Sequence, residues 1–180
     1  MKESVLRIGR YRLVYGYLIA VLCIAFSRQG LFWPGVLLAL LGIALRIWAA
    51  GCIEKDSRLA MNGPYALTRN PLYLGSFIMG LGMIVAIRLW WMLPVYSLGF
   101  AIFYGPTILS EETKLTKLFG EEYLTYRRQV PAFFPWKPRM WGGGFQISNV
   151  IRNREHRYAL VSLSVLALLE IVGLLRSAMS

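Results

Sequence analysis

The densest grouping of chemistry-bearing side chains lies in Gly63-Pro64-Tyr65-Ala66-Leu67-Thr68-Arg69-Asn70-Pro71-Leu72-Tyr73-Leu74-Gly75. Pro64 and Pro71 hold the residues before them away from helical dihedrals, so the backbone here turns or extends. Pro71 then suits the first position of a helix, where no N–H partner is needed. The stretch sits between two apolar runs, each about long enough to cross a bilayer. Tyr65, Arg69, Asn70 and Tyr73 therefore collect on a stiff backbone at a membrane surface, which suggests a binding site. A second group, Glu111-Glu112, closes a later apolar run. The third run leaves the membrane face to which the fourth returns, so the two groups can share one site. Aromatic faces hold cations, carboxylates accept hydrogen bonds from hydroxyls or ammonium groups, and an arginine pairs with a carboxylate.

Other chemistries find little support. The chain has no Gly-x-Ser-x-Gly elbow, no Cys-x-x-Cys pair and no phosphate loop, and its single histidine, His156, lies among basic residues. Cys23 and Cys52 lack metal-ligand spacing and read as free thiols. We expect no metal site.

The elements that must position these residues follow from composition. The chain has 180 residues, 57% hydrophobic and 14% aromatic, with a net charge of +11. Its mean hydropathy of +0.51 is too high for an ordinary soluble domain. The basic residues fall between the apolar runs, which fits anionic lipid headgroups as partners and not nucleic acid. Runs at Tyr11–Phe26, Leu31–Ala50, Pro71–Ile87, Trp90–Leu109 and Tyr158–Leu175 predict an all-α integral membrane protein with about five transmembrane helices. Residues 1–136 form the core with the N-terminal spans, and 137–180 an interfacial linker plus a last span. Arg88 marks a tight turn with Trp90 and Trp91 as interfacial anchors. Leu115, Leu118, Phe119, Tyr123 and Tyr126 recur at helical spacing, with Gly120 breaking that segment into two helices. Pro131–Trp141 has the composition of a stretch at headgroup level, able to cover the site.

The ordered set "GPYALTRNPLYLG", the "GLG" at Gly80-Leu81-Gly82, the "EE" at Glu111-Glu112 and "LFGEEYLTYRRQVP" from Leu118 to Pro131 resembles the isoprenylcysteine carboxyl methyltransferase family, itself similar to the phospholipid N-methyltransferases. The likeness covers roughly 36–136. It implies a membrane enzyme with a cofactor site at the cytoplasmic face, taking S-adenosylmethionine there and a lipid-like or prenylated acceptor from the bilayer. By position, Gly80 and Gly82 match the family's glycine pair, and Glu111 and Glu112 its cofactor-binding acidic pair. Arg69, Pro71 and Tyr73 match the Arg-His-Pro-x-Tyr signature, with Asn70 in place of histidine. Ala132 stands where arginine is frequent. The resemblance thus implies Arg69 and Glu112 as catalytic residues, and Tyr65, Asn70, Tyr73, Gly80, Gly82, Glu111 and Glu112 around the cofactor.

Each residue also has a plainer reading. Glu111 and Glu112 suit the N-terminus of a helix following Ser110, Gly75, Gly80 and Gly82 suit close helix packing, and Arg69 is one more topology-setting cation. Arg46 is expected to snorkel to the interface, with reach to the site as the alternative, Glu170 to pair with Arg176 or Arg88, and Glu155 to be inert to substitution. If the acidic pair binds cofactor, one carboxylate faces it and the other pairs with Arg69 or a nearby cation, since successive helical residues point about 100° apart; at least one of Glu111→Gln and Glu112→Gln should then lose cofactor affinity with stability nearly unchanged. Two other functions compete: an NADPH-dependent membrane reductase of the sterol type, and a non-catalytic membrane scaffold.

Lys and Arg collect at the N-terminus, in the 51–70 loop and over 114–157, leaving Arg28, Arg88 and Arg176 on the other side. The N-terminus should therefore be cytoplasmic and the C-terminus extracytoplasmic. Reporter fusions check this: one inserted at Gly143 should read cytoplasmic and one at the C-terminus extracytoplasmic, whereas the same side for both would make the fifth run a surface helix.

Overall fold

The computed structural model describes residues 11–54, 58–135 and 144–179. These form helices α1 (Arg12–Phe26), α2 (Trp33–Cys52), α3 (Pro71–Ala86), α4 (Met92–Gln129), α5 (Ile147–Arg152) and α6 (Glu155–Ala178), with a 3-10 turn at Gly63–Ala66. No strand occurs among the described residues. The protein is an all-α integral membrane protein, and α2, α4 and α6 are long and apolar enough to cross a bilayer. The apolar helices α1 and α3 are shorter. Leucines and valines stand exposed along α1 (Leu13, Val14, Leu18, Val21), α4 (Leu98) and α6 (Leu160, Val161, Leu168, Leu175), a belt suited to lipid and not to water.

The centre of the bundle is the α2–α3 pair. Lipid tails are as apolar as leucine, so helices associate in membranes by close packing at small residues. Gly35, Ala39 and Gly42 of α2 meet Gly75, Gly82 and Ala86 of α3 almost backbone to backbone. A Cβ on Gly82 would lie 2.2 Å from the Ala39 nitrogen, and one on Gly42 would lie 2.4 Å from that of Met79. The Phe32 N–H, donating to the Ala86 carbonyl at 2.8 Å, closes one end of the pair. At the other end, Asn149 and Asn153 of the α5 region donate to the Gly51 and Ala50 carbonyls at 3.1 and 3.0 Å. The Gly51 carbonyl also accepts from the Gln146 N–H at 3.0 Å, so the last carbonyls of α2 are satisfied from outside the helix.

Arg88 takes a left-handed conformation, φ 57°, in the expected turn between α3 and α4. Helix α4 differs from expectation. It does not end near Leu109 but runs on through Ser110, Glu111 and Glu112, and its backbone departs from helical geometry at Gly120 (φ 52°, ψ −126°). Glu111 and Glu112 thus lie inside a helix, and the reading that has them cap a new one is removed. Beyond the kink, Tyr123, Tyr126 and Val130 pack with Leu59, Leu115 and Phe119 under the motif loop, while Leu118 points out.

Glu170 also differs. It accepts a hydrogen bond from the Leu31 N–H at 2.6 Å, while Arg176 donates to the carbonyls of Ile24, Ala25 and Ser27 and Arg88 to Gln29 and Gly30. Its work is to satisfy backbone at the start of α2.

The glycine seam can be tested by adding one methyl group. Gly82→Ala should cost about 1–3 kcal/mol through overpacking, read as a lower melting temperature in detergent. Gly105→Ala in α4, where nothing lies within 4 Å of the added Cβ, should be neutral or slightly stabilising.

Candidate active site

Arg69 is the hub of the motif loop. Its Nε and Nη2 lie 3.0 and 2.8 Å from one oxygen of Glu112 on α4, and its Nη1 donates to the carbonyls of Arg127 (2.8 Å) and Val130 (3.1 Å). The Arg69 N–H donates to the Pro131 carbonyl at 2.9 Å. Asn70, itself buried, donates to the Ala132 carbonyl at 2.9 Å and more weakly to Glu112 at 3.4 Å. Position 70 therefore supplies two donors and faces Glu112, an arrangement that needs no titratable ring. Ala132 contributes through its carbonyl, which also accepts from the Thr68 hydroxyl at 3.2 Å.

One helical step from Glu112, Glu111 points elsewhere and accepts a hydrogen bond from the Tyr73 hydroxyl at 2.7 Å. The two acids divide as the helical geometry requires: Glu112 is buried on Arg69, while Glu111 lines a cavity of about 580 Å³. That size falls within the usual range for small-molecule sites. Tyr65, Arg69, Tyr73, Gly80 and Glu111 all line this cavity; Asn70, Gly82 and Glu112 do not, and stand behind it. Gly82 is accounted for by its contact with α2, and Gly80 by the close approach of the Tyr96 ring.

The cavity has two characters. One end carries Arg12, Glu54, Arg58, Arg69, Glu111 and Lys114; the other runs between helices past Ile19, Ala20, Met79 and Met83. Tyr65 is buried in the wall, and its hydroxyl has no hydrogen-bond partner among the described residues. Burial, and then the nearby Tyr126, Cys52, Glu111 and Glu155, raise the pKa of that hydroxyl, so it keeps its proton at neutral pH and is available as a donor. Of the covering stretch 131–141, residues 136–141 lie outside the described residues. Phe133 packs against Phe77 and Phe100.

Two wall residues run against the sequence expectation. Arg46 does not snorkel: it pairs with Glu155 of α6 at 2.6 Å, donates to Ser76 and the Leu72 carbonyl, and lies 5.3 Å from the centre of the Tyr158 ring. Glu155, expected to be inert, is buried. Helical register carries the signal for both. Gly35, Ala39, Gly42 and Arg46 share one face of α2, and Glu155, Tyr158, Ser162, Leu166, Leu169 and Gly173 share one face of α6. In each case the charge continues an inward-facing stripe.

The model of the phospholipid methyltransferase family matches residues 30–122. The chain belongs to that family. It is 35% identical over 138 residues to the cobalt-zinc-cadmium resistance protein of Cupriavidus metallidurans, covering 72% of this chain and 63% of that one. With the nickel-cobalt-cadmium resistance protein of Alcaligenes xylosoxydans xylosoxydans it shares 35% over 141 residues, 72% and 64% of the two chains. The protein-S-isoprenylcysteine O-methyltransferase of Rattus norvegicus is 31% identical over 136 residues, 63% of this chain and 48% of that enzyme. The chain thus spans between about half and two thirds of the length of these relatives. No solved structure matches. Among the described residues no group of three or more His, Cys, Asp or Glu could hold a metal ion.

Burial separates the two acids. The Glu112 side chain is 8% exposed and that of Arg69 10%, so Glu112→Gln leaves a buried cation unpaired and should destabilise by roughly 3–5 kcal/mol. The expectation that at least one of the two acids can be exchanged for Gln with stability nearly unchanged therefore rests on Glu111. Glu111→Gln, at an exposed position, should melt like the wild type; equal melting of both variants would contradict the assignment.

Proposed function

We propose that this protein is a membrane methyltransferase that takes S-adenosylmethionine at the polar end of the cavity and a lipid-like or prenylated acceptor along its apolar end. The observation that carries the reading is the joining of these two ends in one cavity, with the family's motif residues gathered at the polar one. Names of relatives point the same way, since several are isoprenylcysteine O-methyltransferases.

The residues present suit the cofactor. The unpartnered Tyr65 hydroxyl is a spare donor in the wall, Glu111 is a carboxylate open to hydroxyl or ammonium groups, and Tyr65, Tyr73 and Tyr104 bring aromatic faces suited to a cation. S-adenosylmethionine, when bound, supplies a methyl group on a positively charged sulfur. Arg69 would pair with the carboxylate of its amino-acid tail, and Glu111 would accept from its ribose or ammonium. Glu112 and Asn70 orient Arg69 from behind and are positioning residues in this scheme. Methyl transfer is an in-line displacement, so the chain contributes alignment and exclusion of water more than proton transfer when the acceptor is already an anion. The polar end, with most of the lysines and arginines, would face the cytoplasm.

Binding of tritium-labelled S-adenosylmethionine to protein in lipid nanodiscs tests the reading. A charge-assisted hydrogen bond is worth about 1.5–3 kcal/mol, so Glu111→Gln should lose about tenfold or more in affinity while melting normally. Wild-type binding with no loss in Glu111→Gln would remove Glu111 from the site. No binding by the wild type would remove the methyltransferase reading.

A further inference from the structure

Helix α1 lies outside the family-matched residues 30–122, yet it supplies one side of the cavity through Arg12, Leu13, Gly16, Ile19 and Ala20. Arg12, Gly16 and Ala20 are spaced four apart and so share one face of the helix. Along that face a cation is followed by an open position, since nothing lies within 4 Å of a Cβ added at Gly16, and then by a single methyl group. The lane from Arg12 to Ala20 is about 12 Å long, and Met79 and Met83 of α3 line the same cavity. Toward the far end of α1, contact with α6 closes it. There the Ser27 hydroxyl donates to the Leu169 carbonyl at 2.9 Å, and a Cβ on Gly173 would lie 2.1 Å from the Gln29 carbonyl oxygen.

Arg12 differs from the other arginines of the wall. Arg46 and Arg69 carry carboxylates of the protein's own, Glu155 and Glu112, and Arg58 is exposed. Arg12 is half-buried and makes no hydrogen bond or ion pair among the described residues, with Tyr73 and Tyr104 within electrostatic reach. It is also the first residue of α1, the end at which the helix dipole disfavours a cation. Helix stability therefore does not account for it.

We propose that Arg12 is a specificity-determining residue for the acceptor: it binds an anionic head, so that the acceptor is an acid with a slender apolar tail running along Gly16 and Ala20, and not an amine. The inference rests on the reading of this cavity as a methyltransferase site. In that reading Arg69 and Glu111 answer the carboxylate and ammonium of the cofactor, whose net charge is positive, and a further cation has no counterpart on it. An acidic head gains a charge-assisted hydrogen bond from Arg12. A protonated amine would instead meet a like charge in a partly dry site.

The test uses three farnesyl probes that differ in the charge of the head: N-acetyl-S-farnesylcysteine, its methyl ester, and the amine S-farnesylcysteamine. Each is bound at equilibrium to the full chain in phosphatidylcholine nanodiscs without cofactor. The wild type should bind the acid more tightly than the ester, and the amine least. Arg12→Gln should lower the acid-to-ester affinity ratio about tenfold, and Arg12→Lys, which keeps the charge, should retain most of it. Gly16→Phe should weaken all three probes alike. Gly105→Phe on α4, equally open but outside the cavity wall, should weaken none. S-adenosylmethionine affinity, measured separately, should stay within about twofold of wild type in Arg12→Gln, a change of under about 0.5 kcal/mol. A cation that only sets topology or holds a lipid headgroup would leave the ratio unchanged in Arg12→Gln, and that result overturns the proposal. It is equally overturned by a wild type that takes up no probe or prefers the amine, or by undiminished probe binding in Gly16→Phe. A tenfold loss of S-adenosylmethionine affinity in Arg12→Gln with the ratio intact would give Arg12 to the cofactor and also overturns it. Failure of the wild type to bind S-adenosylmethionine overturns the methyltransferase reading and is seen independently of these probes.

Discussion

The ion pair between Arg69 and Glu112 sits where three pieces of chain meet. The motif loop carries Arg69, the inner length of α4 carries Glu112, and the 127–132 segment supplies the carbonyls that accept the remaining arginine and asparagine donors. A buried pair of this kind contributes little net stability by itself, because both ions are desolvated. Its effect is on geometry: with Glu112 fixed on Arg69, the next residue back must face elsewhere, and Glu111 is delivered to the cavity beside Tyr73. Two carboxylates adjacent in sequence thereby take different environments.

That arrangement needs α4 to be continuous through 111–112, and it needs α3 to start where the motif loop ends. Pro71 begins α3, and the near-contact of α3 with α2 at Gly42, Gly75 and Gly82 fixes its position. The glycines of the motif region thus act chiefly by letting two backbones meet, and they aim the cavity wall without supplying polar contacts. Gly80, which opposes Tyr96, is the member that also reaches the cavity.

Much of this was legible in the sequence. Apolar runs located the helices, the Arg88 turn and the Gly120 break were marked by local chemistry, and the ordered motifs placed Arg69, Tyr73 and the acid pair near one another. The parts that were not legible share a cause. Composition changes at Ser110 from apolar to polar, which reads as the end of a helix, but no proline or glycine stands between Pro106 and Gly120 to break one, so α4 goes on. Arg46 and Glu155 are 109 positions apart. A lone charge near the end of an apolar run is normally drawn to the interface, and only tertiary packing shows that these two neutralise each other. Glu170 found backbone instead of an arginine because the start of α2 leaves the Leu31 N–H without a helical partner.

The central claim is that the motif loop and the inner length of α4 form one cofactor site at the polar end of the cavity. Hydrogen–deuterium exchange of the wild-type protein in nanodiscs, with and without S-adenosylmethionine, tests it most directly. The account predicts added protection concentrated at residues 63–73 and 108–116, with the α1–α2 turn at 27–31 unchanged. Protection confined to that opposite turn, or no cofactor-dependent change at either end, would contradict it.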